Sequence, residues 1–302
     1  MSMDKNFNDA DIAVNKMTEQ CKKELVQAYA ESLKSIRNSL SYIYEKYSQD
    51  GSLTYADMTK YNRLLNLEKE IRDELYNFTG ANAKRIKTLI GDVYEESFFR
   101  TAFAIEAEAQ VKLAYGMLNP EVIKASIQNP LSGMKLDERL EKNRDNIITN
   151  VRQQITQGLV QGESYPRMAK RIKTVLESDA QKAIRVVKTE AHRVQQESRL
   201  ASMQHAADKG IKMVKVWMAT LDGTVRDTHG RLDGQKVAID EEFYIGRLHA
   251  KAPGHFGDPA EDINCRCTIR AELVGYEPKV RRSREDGIIP YTNYEDWKLH
   301  RI

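Results

Sequence analysis

Two thiols separated by one residue, Cys265-Arg266-Cys267, close a stretch that also holds Trp217, the turn Asp222-Gly223-Thr224-Val225-Arg226, His229, Asp233-Gly234 and Asn264. Alternate positions of an extended segment share a face, so both sulfurs can turn toward one point. Thiolate and imidazole together suit zinc. His229, Cys265 and Cys267 are its candidate ligands, with His255 or Asp233 as a fourth and Asp222 or His249 as further options. Structural zinc sites mostly space their cysteines more widely. The plainer and favoured reading makes both cysteines small buried side chains of a reduced core.

His229 itself has three readings: a ligand, a general base, or a histidine that fixes a loop by bonding backbone. With His255 and Asn264 it loosely imitates a metal-dependent nuclease, so a nuclease or hydrolase built on His229, His255, Cys265 and Cys267 is an alternative function. Histidine and asparagine at free spacing occur in many loops. No nucleophile elbow, phosphate-binding glycine loop or pair of catalytic carboxylates accompanies them, and the chain reads as a non-enzyme. Asn264 suits a turn entering a last strand. Arg266, facing away from the thiols, could pair with an acidic group or a phosphate.

These residues need a scaffold. Lys212 to Met218 alternates as a strand does, and so does Cys267 to Leu273, with Cys267, Ile269, Ala271 and Leu273 on one side. Asp222-Gly223 and Asp233-Gly234 are turn signals, and Lys251 to Pro259 reads as loop. Residues 210–276 are therefore expected to form a compact α+β module in which Trp217 fills the core. Everything before it is helical. Apolar residues recur from Met17 through Cys21, Leu25, Tyr29, Leu33, Ile36, Leu40 and Ile43 to Tyr47, in steps of three or four, until Asp50-Gly51-Ser52 breaks the pattern. A second helix starts near Thr54, shows Tyr61, Leu64, Ile71, Leu75 and Phe78 on one face, and ends at Thr79-Gly80. A third runs from Lys84 to Leu118 with Leu89, Val93, Phe99, Phe103 and Val111, stopped by Asn119-Pro120.

Pro120, Pro130 and Ser132-Gly133 mark a linker. Beyond it, Leu140, Ile147, Val151, Ile155 and Leu159 make another helical stripe from Asp137, weakened at Gly158 and Gly162. Ser164 caps a short helix with Pro166 in its first turn, and a longer helix runs from Asp179 to Lys209 with Gly210 as its stop. The fold class is mostly α with a small C-terminal α+β module. The domains are a long-helix N-terminal region at 1–135, a helical connecting region at 136–209, the module at 210–276 and a charged tail at 277–302. The tail carries Arg281, Arg282 and Arg284 and an aromatic cluster of Tyr291, Tyr294 and Trp297.

Composition bounds the partners. The net charge is +3 with 30% charged and 41% hydrophobic residues, so no basic global field draws the chain to nucleic acid. Glu163 to Leu200 is locally basic, with nine basic and five acidic side chains. Lys170, Arg171, Lys173, Lys182, Arg185, Lys188 and Arg193 could touch phosphates, which makes non-specific DNA binding a second alternative. A solvated helix face is favoured, because only Tyr165 could stack on a base there. Three cysteines, one of them the isolated Cys21, make no disulfide framework and fit a reducing cytosol. No run approaches the roughly 18 apolar residues of a membrane span, and the polar, acidic N-terminus shows no signal peptide.

The order of these elements resembles a known family. Lys188-Thr189-Glu190 ends a helix; then come Lys215-Val216-Trp217-Met218-Ala219-Thr220 and Asp222-Gly223-Thr224-Val225-Arg226-Asp227-Thr228-His229. Leu232-Asp233-Gly234-Gln235, Phe243, Pro253, Gly257-Asp258-Pro259 and Ile263-Asn264-Cys265-Arg266-Cys267 follow. The series is similar to the phage head morphogenesis proteins, the Mu F-like minor head family of tailed phages and prophages, over about Leu140 to Leu273. The family's usual arginine before Thr189-Glu190 is Lys188 here, which keeps the charge. The resemblance implies a minor capsid component present in few copies. It implies entry into the procapsid with the portal protein, contact with major capsid or scaffolding protein and with packaged double-stranded DNA, and a role in DNA packaging or ejection. The implied place is the head interior or portal vertex of the virion, with host cytoplasm during assembly and no membrane. No enzymatic activity is implied. Related modules occur fused to toxin domains, for which this chain leaves no room beyond the tail.

Overall fold

The computed structural model describes residues 3–130, 133–275, 280–283, 287–292 and 296. Ser132, Arg284, Tyr294 and Trp297, named above, lie outside them, as do the bounds Tyr276 and Glu277 between the expected module and tail.

Three helices dominate: α1 (Met3–Tyr47), α3 (Arg63–Ala109) and α6 (Tyr165–Asp208), with α2 (Tyr55–Thr59), α4 (Pro120–Gln128) and α5 (Leu136–Val160) between them. In α1 the expected stripe is present. Cys21, Leu25, Tyr29, Ile36, Leu40 and Tyr44 are buried, while Met17, Leu33, Ile43 and Tyr47 flank them half-exposed. Thr54 caps α2 by accepting from the Asp57 amide at 3.2 Å.

Several expected breaks are absent. Thr79-Gly80 does not interrupt α3, and the break falls earlier, where Tyr61 and Asn62 have φ of 56° and 57°. An interior glycine costs a helix about 1 kcal/mol. The stripe from Leu67, Ile71 and Leu75 to Ile86, Ile90 and Val93 is buried on both sides of Gly80, and packing of that length outweighs one weak residue. The same helix turns Phe98, Ala102 and Ile105 inward and leaves Phe99, Phe103 and the following Val111 exposed, contrary to the expected face. It ends at Ala109, not Leu118. Asn119-Pro120 begins a helix instead of stopping one: Asn119 Oδ1 accepts from the Glu121 amide at 2.9 Å, with Pro120 in the first turn of α4. The expected break before Asp179 is also missing, and α6 runs unbroken for 44 residues. Its stop is as expected: Gly210 has φ 91°, and Ile211 N reaches Ala206 O at 3.1 Å, closing a Schellman turn.

By contacts the chain forms two compact units. One comprises Met1–Glu19, Thr88–Gly133 and Lys188–Ile302; the other comprises Gln20–Lys87 and Met134–Val187. The second unit is helical, with Leu67, Ile71, Ile147, Val151, Ile155, Ile172 and Leu176 in its core. There Tyr29 Oη donates to the buried Asp179 carboxylate at 2.5 Å.

The first unit holds the strands. β1 (Met213–Met218) lies between β2 (Lys236–Ala238) and β5 (Thr268–Leu273), antiparallel to both, with Trp217 opposite Ile269. A central strand covered on both faces buries consecutive residues, which explains Val216, Trp217 and Met218 in a row. β3 (Phe243–Ile245) pairs with β4 (Leu248–Ala250). Short helices α7 (Asp227–Gly230) and α8 (Pro259–Asp262) lie in the connections. The segment read as a tail carries a hairpin, β6 (Val280–Ser283) with β7 (Gly287–Pro290). The core around Trp217 takes Met3 and Phe7 from α1, Ala104 and Ile105 from α3, and Met203 and Ala206 from α6.

Candidate metal centre

α7 carries His229, and the residues around it are tied to the loop before β5. Arg226, which precedes it, donates from Nη2 to Ile263 O at 2.6 Å, and Thr228 donates to Glu261 Oε2 at 3.0 Å. His229, next to Thr228, is 1% exposed and edge-on to Trp217, with ring centroids 5.5 Å apart. The second wall is the loop entering β5. Asn264 takes a left-handed φ of 58°, a conformation that asparagine tolerates, and its amide donates to Thr189 Oγ1 on α6 at 3.4 Å. That kink brings both sulfurs around to His229: Nδ1 lies 3.6 Å from Cys265 Sγ and 3.4 Å from Cys267 Sγ. One ligand atom from each of the three residues falls within 4.8 Å of the others, and both thiols are buried.

The environment polarises the pair. A hydrogen bond from Cys267, joined by His192 and His229, holds the Cys265 thiol well below its ordinary range against the opposing effect of burial. Burial, then the neighbouring Cys265, pushes Cys267 up. The two sulfurs are thus shifted in opposite directions beside one imidazole. Glu261 Oε2 stands 3.0 Å from His229 Nε2, on the far side of the ring from the sulfurs.

The other candidates face elsewhere. Asp222 pairs with Arg266 and accepts from the Thr224 amide and hydroxyl, both at 2.9 Å. Asp233 Oδ1 accepts from the Ala219 amide at 2.7 Å, while Gly234, at φ 76°, returns the turn to β2. His249 Nδ1 is 2.8 Å from Glu242, and His255 Nε2 is 3.5 Å from Glu197. His192 on α6, which the sequence reading passed over, is the additional nitrogen-bearing group at Cys265. Its signal was its place one turn after Lys188 on a helix whose Thr189 and Gln196 both bond the β5 strand or its entry loop. His192 and Cys265 also line an open groove of about 860 Å³, with Asp11, Lys188, Arg226 and Arg266.

Of the basic residues on α6, Arg171 binds Glu163 through two nitrogens and three glutamine carbonyls, and Lys173 pairs with Glu177. Arg193 is buried against Glu190 and Glu197. Lys170, Arg185 and Lys188 are exposed.

Long helices feed a compact module pinned by Trp217 and the Cys-Arg-Cys loop. The sequence pattern of the Phage Mu protein F like protein family matches residues 149–270. The minor head protein GP7 of Bacillus phage SPP1 is 34% identical over 97% of this chain and 96% of its own length. A second relative, the NAD(+)--arginine ADP-ribosyltransferase EFV of Enterococcus faecalis, is 31% identical over 92% of this chain, which spans 57% of that protein. No solved structure matches at a meaningful level. The chain belongs to the phage minor head protein family, and its role is in phage head morphogenesis. Among the described residues no helix is long and apolar enough to cross a membrane.

Proposed function

We propose that this minor head protein enters the procapsid with the portal protein and stays in the head, where it acts in assembly and in DNA packaging or exit. The observation that carries this reading is the end-to-end similarity to the minor head protein of phage SPP1. A surface feature supports it: Phe99 and Phe103, four residues apart on α3, are both exposed. Two aromatic rings on one helix face are an apolar patch that association would cover. The role is structural. His229, Cys265 and Cys267 are each less than 5% exposed, which leaves a nucleic-acid or protein substrate no access to them. The transferase activity in the name of the Enterococcus relative is that protein's own.

Co-expression with the portal protein tests the docking. The two are expected to co-purify and to co-sediment at micromolar concentration, and Phe99→Asp with Phe103→Asp is expected to weaken the association. A clean failure of the unaltered chain to associate would remove the portal from this reading.

A further inference from the structure

We propose that His229, Cys265 and Cys267 bind one structural zinc ion, with His192 of α6 as the fourth ligand. Zinc bonds to thiolate at about 2.3 Å and to imidazole at about 2.0 Å, so tetrahedral angles separate sulfur from nitrogen by about 3.5 Å. The two sulfurs lie 3.6 and 3.4 Å from His229 Nδ1. Each sulfur therefore stands as far from the nitrogen as an ion between them requires, and all three donors lie within 4.8 Å of one another.

The surroundings fit a metal ligand better than a core histidine. A zinc-bound imidazole commonly presents its second nitrogen to a carboxylate, and Glu261 stands 3.0 Å from Nε2. His192 lines the same groove as Cys265, and its Nε2 is buried without a hydrogen-bond partner. It is not one of the three converged donors, and side-chain rotation would bring it to the ion. The groove that His192 and Cys265 share gives the ion an entry path.

Charge balances as well. Binding releases both thiol protons to solvent and leaves two thiolates on a dication, a neutral unit in a buried site. Two nitrogens and two sulfurs in tetrahedral array are a zinc donor set. The ion would tie α6 to the β5 loop and to α7, three segments far apart in sequence. The zinc reading does not depend on portal docking.

The test uses the full-length chain, purified without chelator under reducing conditions. Elemental analysis is expected to give one zinc per chain, released by a mercurial thiol reagent. Cobalt exchange is expected to give the intense visible bands and the sulfur-to-metal charge transfer of a tetrahedral thiolate site. His192→Ala should weaken zinc binding at least about tenfold, whereas His249→Ala and His255→Ala should leave it unchanged. If Cys265→Ser and Cys267→Ser fail to fold, the cobalt spectrum of the unaltered chain decides. Protein that is metal-free, takes up no cobalt and melts identically with zinc or chelator would overturn the proposal. A Cys265–Cys267 disulfide persisting under reductant would do the same. Unchanged affinity in His192→Ala would overturn the fourth ligand.

Discussion

Arg266 and Asp222 form a two-pronged ion pair across the mouth of the loop that carries the cysteines: Nη2 reaches Oδ1 at 3.0 Å and Nη1 is paired with Oδ2. Planar guanidinium and carboxylate match in this geometry. The pair turns the middle residue of Cys-Arg-Cys outward and so turns both sulfurs inward. Burial opposes the charge on Asp222, but Arg266 and Thr224 prevail and bring its carboxyl down to about 2. A carboxyl whose folded value lies below its unfolded value of 3.8 stabilises fully above about pH 4 and loses that contribution as pH falls toward 2. With the guanidinium more than a third exposed, the contribution is about 1 kcal/mol. Asp222→Asn should lower stability at pH 7 by about that much and flatten acid unfolding between pH 4 and 2, measured by urea titration at each pH.

Lys215 gives a pH dependence of the same sense in an alkaline window. It is fully buried on β1 and donates from Nζ to Ile239 O at 2.9 Å and to Glu241 O at 2.5 Å. Burial, helped by Lys251, lowers it to about 8. Between about pH 8 and 10.5 the unfolded chain holds this proton while the folded chain has lost it, so folding is favoured as pH rises through that window. Lys215→Met removes the titrating group. The slope of unfolding free energy against pH should be more positive in the unaltered protein than in this variant over that range.

Gly210 offers a cleaner test of backbone alone. A Cβ there would meet nothing within 4 Å, yet its φ is 91°. Gly210→Ala should cost about 1 kcal/mol through the left-handed conformation without any clash. An unchanged melting temperature would mean that the α6 stop relaxes freely.

Much of this was legible in the sequence because local patterns carried it. The stripe of α1, the Gly210 stop and strands β1 and β5 each follow from a spacing or a single residue. Errors came where local signals competed with long-range packing. Thr79-Gly80 looks like an end, but buried residues on either side hold the helix together. Asn119-Pro120 serves equally as a stop or a start, and only the Glu121 amide decides. The Cys-Arg-Cys motif stood out, and Arg266 paired with an acid as its outward position implied. His192 could not be found by spacing, because it belongs to a helix whose register on the β5 loop is set by Thr189 and Gln196. Without that register its neighbours are those of any helical histidine.

The register also implies that the strands depend on the helices. Arg199, fully buried on α6, pairs with Asp11 on α1, and Arg270 on β5 donates to Asn8 and stands 3.7 Å from Asp4. Asp4, Asn8 and Asp11 share one face of α1, four and three residues apart, and receive both guanidiniums. Met3 and Phe7 enter the Trp217 core beside them. A fragment of residues 210–302 therefore lacks core side chains and leaves Arg270 without its acidic neighbours on α1. It should show no cooperative unfolding by near-ultraviolet circular dichroism. In the full chain, Asp11→Ala strips one partner from a buried pair and should cost about 3–5 kcal/mol, whereas Asp11→Leu with Arg199→Met, which removes both charges and keeps volume, should cost much less. Equal losses in the two variants would mean that the charges themselves, and not the packing around them, join α1 to the sheet.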